Sequence, residues 1–381
     1  MKSIRAFRAH YCLARAILVV TSLSIMFLPA CVAASPTVSF VVTPGSIKTD
    51  AFVQENYPAG VGYRSTILDI YFTDPASPFT FRKEDGIDQI IVETIDSAKV
   101  SVDIAIYNFD IYSIQKAVQD AANRGVSVRI VTESDNSENY SIVRLRDAGI
   151  SVVEDDQNGL MHNKFVIIDG QQVWTGSANF SEDSFYIDDN VMILIKDAQI
   201  AQNYQVEFEE LFSDGLFGAA GDTDQPYPKV TIGPYQIETL FSPDDAPVRP
   251  IVERIQKAEN EIVFFTYALT GEDFGDALLE ASANGVKIEG IFDDQLSNNV
   301  GSQLARLRSA GVSVWVDSPD RLMHQKVIVI DKAVVIVGSY NFSANAEKRN
   351  DENLLIIENP AIAQFFLDEF AKLKLFSEKL P

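Results

Sequence analysis

His162-Asn163-Lys164, then Asp169 after four residues, then Gly176-Ser177-Ala178-Asn179 after six more, is written twice in this chain. The second copy reads His324-Gln325-Lys326, Asp331 and Gly338-Ser339-Tyr340-Asn341, each position 162 residues beyond its twin. Working outward, Arg306-Leu307-Arg308-Ser309-Ala310-Gly311 answers Arg144-Leu145-Arg146-Asp147-Ala148-Gly149 at the same offset, and Ala283-Asn284-Gly285-Val286 answers Asn123-Arg124-Gly125-Val126. An offset held through helix, strand and loop patterns is the mark of a tandem duplication. The unit is too long for a solenoid repeat.

Each copy carries an α/β pattern. In the first, Leu68 to Phe72, Val100 to Tyr107, Val126 to Val131, Ile150 to Val153, Lys164 to Ile168, Gln172 to Thr175 and Val191 to Ile195 read as strands. Asp88 to Ala98, Ile111 to Arg124, Ser141 to Ala148 and Ala198 to Phe212 read as helices, two of them stopped by Gly125 and Gly149. Ser213 to Tyr235 is rich in Gly and Pro and interrupts the pattern. The expected organisation is an N-terminal segment 1–34, a lead-in over 35–66 with at most one strand, a first domain over 67–220, a linker over 221–235 and a second domain over 236–381. A pseudo-twofold is the simplest relation between the halves.

The residue types of the motif suit work on an anion. His and Lys two apart on a strand share a face. Lys and Asn present donors, and His can attack, accept or donate a proton near neutral pH. One such surface is half of a phosphoryl-transfer site. In-line displacement needs a nucleophile, a proton donor opposite it and donors around the equatorial oxygens. Two facing copies supply His162, Lys164 and Asn179 with His324, Lys326 and Asn341. A lone His-x-Lys or a lone Gly-Ser-x-Asn turn would carry no such meaning. The chain has three histidines, and His10 lies in the N-terminal segment, so the repeated motifs hold the other two.

Both copies resemble the HKD motif of the phospholipase D superfamily at every defining position, and with its flanking repeat the resemblance covers nearly all of the chain from residue 67 onward. It implies two phospholipase D-like domains, each a mixed sheet flanked by helices, with one active site between them. It implies a phosphohistidine intermediate, no metal and no cofactor. By the family's usual order His162 attacks and His324 is the general acid. Lys164, Lys326, Asn179, Asn341, Ser177 and Ser339 hold the phosphate. A carboxylate orients each histidine in the family. Asn350-Asp351-Glu352-Asn353 offers Glu352 for this role. Aligning Ile187-Asp188-Asp189-Asn190 with it offers Asp189, a shorter side chain. Asp169 and Asp331 are expected to be strand-end turns. The second copy looks most like the compact branch that includes bacterial endonucleases and mitochondrial cardiolipin hydrolases.

The N-terminus reads as an export signal. Lys2, Arg5, Arg8 and Arg15 precede an apolar run from Ala16 to Leu28 and a small-residue exit, too short for a full membrane span. Leu28-Pro29-Ala30-Cys31 resembles a lipobox, which leaves lipidation of Cys31 and cleavage after Ala34 both open. Cys12 and Cys31 are the chain's only cysteines, so a chain processed after Ala34 has neither disulfide nor thiol chemistry. The expected destination is the secreted, periplasmic or envelope space. From Ser35 onward 27 basic side chains face 54 acidic ones, net −27, which opposes a polyanion unless a local basic groove forms. Three readings follow. The first is an exported phospholipase D acting on phospholipid at a membrane surface. The second is a metal-independent endonuclease of the same chemistry, its groove drawn from Arg306, Arg308, Arg321, Lys348 and Arg349. The third is a surface-tethered binding protein without activity, which two intact motifs disfavour.

Overall fold

The computed structural model describes residues 50–218, 221 and 225–380. The expected signal over 1–34, both cysteines and the start of the lead-in lie outside them. Among the described residues no helix is long and apolar enough to cross a membrane.

The first half contains β1 (Val53–Tyr57), β2 (Gly60–Arg64), β3 (Leu68–Thr73), β4 (Ser101–Ile106), β5 (Ser127–Thr132), β6 (Ser151–Glu154), β7 (Lys164–Ile168), β8 (Gln172–Gly176) and β9 (Val191–Ile195). They form one nine-stranded sheet in the order β1-β2-β3-β9-β8-β7-β4-β5-β6. The second half contains β10 (Lys229–Ile232), β11 (Tyr235–Ser242), β12 (Glu261–Thr266), β13 (Lys287–Phe292), β14 (Ser313–Val316), β15 (Lys326–Ile330), β16 (Val334–Gly338), β17 (Glu352–Glu358) and β18 (Glu378–Lys379). Its sheet runs β10-β11-β17-β16-β15-β12-β13-β14-β18. The seven strands β3-β9-β8-β7-β4-β5-β6 have their twins in β11-β17-β16-β15-β12-β13-β14. In each sheet the β4-β5-β6 type of pairing is parallel and the rest antiparallel, so both are mixed.

Strand alternation sorts the core into layers. On β7, Phe165 and Ile167 join a central cluster while Val166 and Ile168 join an outer one, as the period of two requires. The outer clusters belong to one half each and take helices such as Tyr112–Asn123 and Glu272–Ala283. The central cluster draws on both halves, including the long helices Ala198–Glu209 and Pro360–Lys374. Phe72 meets Phe366 edge-on with ring centres 5.1 Å apart, and Tyr204 meets Phe241 at 5.1 Å. These pairs are twins under the duplication, and each adds about 0.5–1.5 kcal/mol beyond its buried area. The halves are therefore held by a shared apolar core, which fixes the sheet ends where the motifs sit.

Two expectations need correction. The described part of the lead-in, 50–66, is not mainly loop: β1 and β2 form a hairpin that extends the first sheet through Val61↔Phe72 and Gly62↔Tyr71. Its glycines mark close approach rather than a break. A Cβ on Gly60 would lie 2.4 Å from the Phe72 carbonyl oxygen, and one on Gly62 2.7 Å from the Tyr71 ring. The second part of the expected linker is likewise a hairpin, β10-β11, closed by Gly233-Pro234 with Gly233 at φ +55°. The two-residue turn explains Gly233 and Pro234, two of the residues that read as linker.

Candidate active site

The motif strands β7 and β15 begin at Lys164 and Lys326, so both histidines lie just before a buried strand. Short parallel bridges tie those entry points across the halves: Met161 with Asp351, and Met323 with Asp189. The His162 N–H donates to the Asp351 carbonyl and the His324 N–H to the Asp189 carbonyl, both at 2.9 Å. Each contact is the other's twin. The pseudo-twofold thus passes between the motifs and brings them to one place.

His162 is 7% exposed and His324 8%. His162 Nδ1 lies 2.7 Å from Glu352 Oε2, a residue of the other half. Glu352 also accepts from Ser339 Oγ at 2.7 Å and from Asn350 Nδ2 at 3.1 Å. A carboxylate can only accept there, so His162 carries its proton on Nδ1 and leaves the Nε2 lone pair bare. His324 Nδ1 lies 3.0 Å from Asn190 Oδ1 of the first half. Asn190 accepts from Ser177 Oγ at 2.8 Å and donates through Nδ2 to the Ser184 carbonyl at 2.9 Å, which fixes the amide's orientation. His324 therefore has the same tautomer, against a neutral acceptor.

The lysines are fully buried or nearly so. Lys164 Nζ donates to the His162 carbonyl at 2.8 Å and Lys326 Nζ to the His324 carbonyl at 2.5 Å. Each ammonium lies over a tyrosine ring, Lys164 over Tyr107 at 5.4 Å and Lys326 over Tyr267 at 4.9 Å. The same rings meet His162 and His324 edge-on. Each Nζ keeps N–H donors beyond its one protein acceptor. Asn179 and Asn341 each have a buried Oδ1 that no group of the protein engages.

Burial acts on all four basic groups. It holds the His162 imidazole down at about 4, with Lys164 and Lys326 pushing the same way and Glu352 opposing. His324 is held well below its ordinary range by burial, by both lysines and by His162. Burial pulls Lys164 down to about 7, and burial with the Lys164 charge pulls Lys326 well below the usual lysine range. The site is a desolvated set of donors short of one anion.

Asp189 is not an orienting group. Its backbone holds His324, but its carboxyl turns to Arg321, whose Nε is 2.6 Å away though off the hydrogen-bond line. Burial pushes Asp189 up to about 8 against that partner. The partner of His324 is Asn190, which the constant offset of 162 from Glu352 indicates and a one-residue slip in alignment hides. Asn350, Tyr107 and Tyr267 are further site residues that the motif does not mark. Asp169 accepts from the backbone of Lys99, Val100 and Ser101, and Asp331 from that of Glu259, Asn260 and Glu261. Both sit at positive φ in strand-end turns. The proposed basic groove loses members to acidic partners: the half-buried Arg321 lies against Asp189, and Arg306 is paired with Asp276 at 2.5 Å.

Two unlike partners on two like histidines suit a reaction with a nucleophile and an acid around a phosphate. Comparison with known proteins gives the family. The sequence pattern of the family described as cardiolipin synthase, PLD-like domain, matches residues 91–212 and 251–374. Over 141 residues the chain is 35% identical to phospholipase D of Rickettsia prowazekii (strain Madrid E), covering 37% of this chain and 69% of that one. Over 119 residues it is 34% identical to the mitochondrial cardiolipin hydrolase of Xenopus tropicalis, covering 31% of this chain and 57% of that one. Its fold is similar to phosphatidylserine synthase of Haemophilus influenzae Rd KW20, with a TM-score of 0.60 and 14% identity over 77% of this chain and 85% of that one.

Proposed function

The chain belongs to the phospholipase D superfamily and is a phosphodiesterase, and from that premise we propose that it cleaves phospholipid headgroup diesters through a phosphohistidine on His162. One observation carries this reading: each histidine takes its orienting partner from the opposite half, Glu352 for His162 and Asn190 for His324. The two motifs then act as one site.

In the first step His162 Nε2 attacks phosphorus. A P–N bond forms as the P–O bond to the leaving group breaks, and His324 Nε2 gives that oxygen its proton. In the second step His324 takes a proton from water, the hydroxide attacks phosphorus, and the P–N bond breaks. Lys164, Lys326 and the amides of Asn179 and Asn341 hold the equatorial oxygens, supported from Ser177 and Ser339. The unequal partners assign the roles. A carboxylate beside His162 enriches its lone pair and balances the positive charge of the phosphoimidazolium. A neutral amide beside His324 leaves its proton labile. An entering phosphodiester supplies the anion that offsets both lysines, and this loads His324 with the proton it donates.

Phospholipid is favoured over nucleic acid by the net −27 from Ser35 onward and by the paired Arg306 and Arg321. Export on the 1–34 signal, with or without a lipid on Cys31, would place the site at a membrane surface. The test is headgroup release from vesicles of phosphatidylcholine, phosphatidylethanolamine and cardiolipin, with plasmid and single-stranded DNA in parallel and His162→Ala as control. Release by wild type alone is the expected result. DNA cleavage without release would overturn the lipid assignment, and neither activity would overturn both enzyme readings.

A further inference from the structure

At one connection the twin halves differ sharply in length. In the second half five residues, 243–247, join β11 to the helix Val248–Gln256, whereas in the first half thirteen residues, 74–86, join β3 to the helix Ile87–Ser97. The extra length does not go into the core. Its one helical turn, Thr80–Arg82, has no buried residue, and Phe79 and Phe81 stand 47% and 76% exposed. Arg82 Cζ lies 5.8 Å from the Phe79 ring centre and 5.6 Å from that of Phe81, so the three side chains form one tip. Among the described residues no carboxylate pairs with Arg82. The base of the loop is tied down: Ser77 Oγ donates to the Pro58 carbonyl, and Lys83 Nζ to Glu182 Oε2 at 2.6 Å.

This tip stands at the catalytic end of the sheet. Thr73, the residue before the loop, accepts from the Asn190 N–H at 2.7 Å, and Asn190 holds His324. β3 ends there beside the start of β9, as β4 ends beside Lys164. Other exposed apolar side chains share that end. Tyr112, Tyr140, Ile187 and Val300 are carried on the segments that follow β4, β5, β8 and β13 on their motif side. With the two phenylalanines they make six of the ten large apolar side chains exposed among the described residues. Single exposed apolar residues are ordinary, but an aromatic pair beside a catalytic mouth, with a basic group between its rings, marks a contact surface.

We propose that the 74–86 loop seats in the headgroup layer of a zwitterionic phospholipid bilayer, with the Phe79 and Phe81 rings at the acyl boundary and the Arg82 guanidinium on a lipid phosphate. The proposal rests on the phospholipid reading above and adds the surface that meets the lipid. Aromatic rings and a cation on a flexible stem suit that layer, which is apolar below and wet above. The charge also fits. Arg82 can take a phosphate, while a bilayer without net charge spares the acidic chain the repulsion a polyanion would meet. Seating here turns the sheet ends that carry His162 and His324 toward the bilayer. A headgroup diester then reaches the site without leaving its layer.

Full-length Phe81→Trp is mixed with phosphatidylcholine and phosphatidylethanolamine vesicles whose acyl chains are brominated. Its indole emission is expected to shift to the blue and be quenched, against a wild-type background from the buried Trp174 and Trp315. Val100→Trp, an exposed site at the opposite end of β4, is the control and is expected to do neither. No quenching at position 81, or equal quenching at position 100, would overturn the proposal. Phe79→Ser combined with Phe81→Ser is then assayed on vesicles and on bis(p-nitrophenyl) phosphate. The vesicle KM is expected to rise about thirtyfold, from the apolar area no longer buried, with turnover of the soluble diester unchanged. An unchanged vesicle KM would overturn the proposal. Wild type that turns over the soluble diester but releases no headgroup would sink the phospholipid reading, and quenching at position 81 would then decide the loop by itself. A single-stranded DNA mobility shift abolished by the double variant would assign the tip to nucleic acid and overturn the proposal.

Discussion

Glu352→Gln tests the unequal partnering of the histidines. Glu352 satisfies three donors: His162 Nδ1 at 2.7 Å, Ser339 Oγ at 2.7 Å and Asn350 Nδ2 at 3.1 Å. A glutamine there can satisfy only part of that set. With its carbonyl toward His162 and Ser339, its NH2 faces the NH2 of Asn350. With its carbonyl toward Asn350, its NH2 faces His162 Nδ1, which must then accept. The ring proton would move to Nε2, the attacking atom. In either arrangement His162 also loses the one negative charge that opposes burial and both lysines. A unit charge pair about 4 Å apart at an effective dielectric of 20 is worth about 4 kcal/mol, and the phosphoimidazolium would forfeit that amount. The expected kcat is about a thousandfold lower. The assay is steady-state turnover of bis(p-nitrophenyl) phosphate, with urea melts to show that the variant is folded. A folded Glu352→Gln protein within fivefold of wild-type kcat would refute the reasoning.

Asp189→Asn should separate structure from catalysis: it alters the buried contact to Arg321 and is expected to lower the urea-melt midpoint, with kcat within threefold of wild type. A large kcat loss at unchanged stability would return Asp189 to an orienting role. The pH profile follows from burial of His162, held down at about 4. The nucleophile stays neutral to that point, so the acid limb of kcat/KM is expected near pH 4 rather than near the ordinary 6.5 of histidine. Stability has the matching sign. The unfolded chain protonates His162 below about 6.5 and the folded chain only below about 4, so up to about 3 kcal/mol is lost as pH falls through that window. His162→Asn should lose correspondingly less, as read by urea melts at pH 7 and pH 4.5.

Much of this architecture could be read before any coordinate was known, because the duplication repeats. An offset that holds from Arg144 through Asn179 aligns strands, helices and motif together, and it implies that two half-sites meet. What escaped was local. The hairpin β1-β2 was hidden because Gly60 and Gly62 looked like loop residues, when the neighbouring strand leaves no room there for a Cβ. Asn190 was hidden by chemistry: a carboxylate was sought, and Asp189 was one residue away. The side chains of Tyr107 and Tyr267, which flank both the lysines and the histidines, come from strand ends far from the motif in sequence. Only the folded sheet brings them there.

The central claim is that two half-motifs make one site in which His162 alone carries the phosphoryl group. The direct measurement is to quench turnover of a phosphorus-labelled diester under alkaline conditions, which preserve phosphohistidine, and map the label by mass spectrometry. Wild type, His162→Ala and His324→Ala would be compared. Label on His162 in wild type, its retention or accumulation in His324→Ala, and its absence in His162→Ala are predicted, with turnover abolished in both variants. Label on His324, or turnover in either alanine variant near the wild-type rate, would contradict the account.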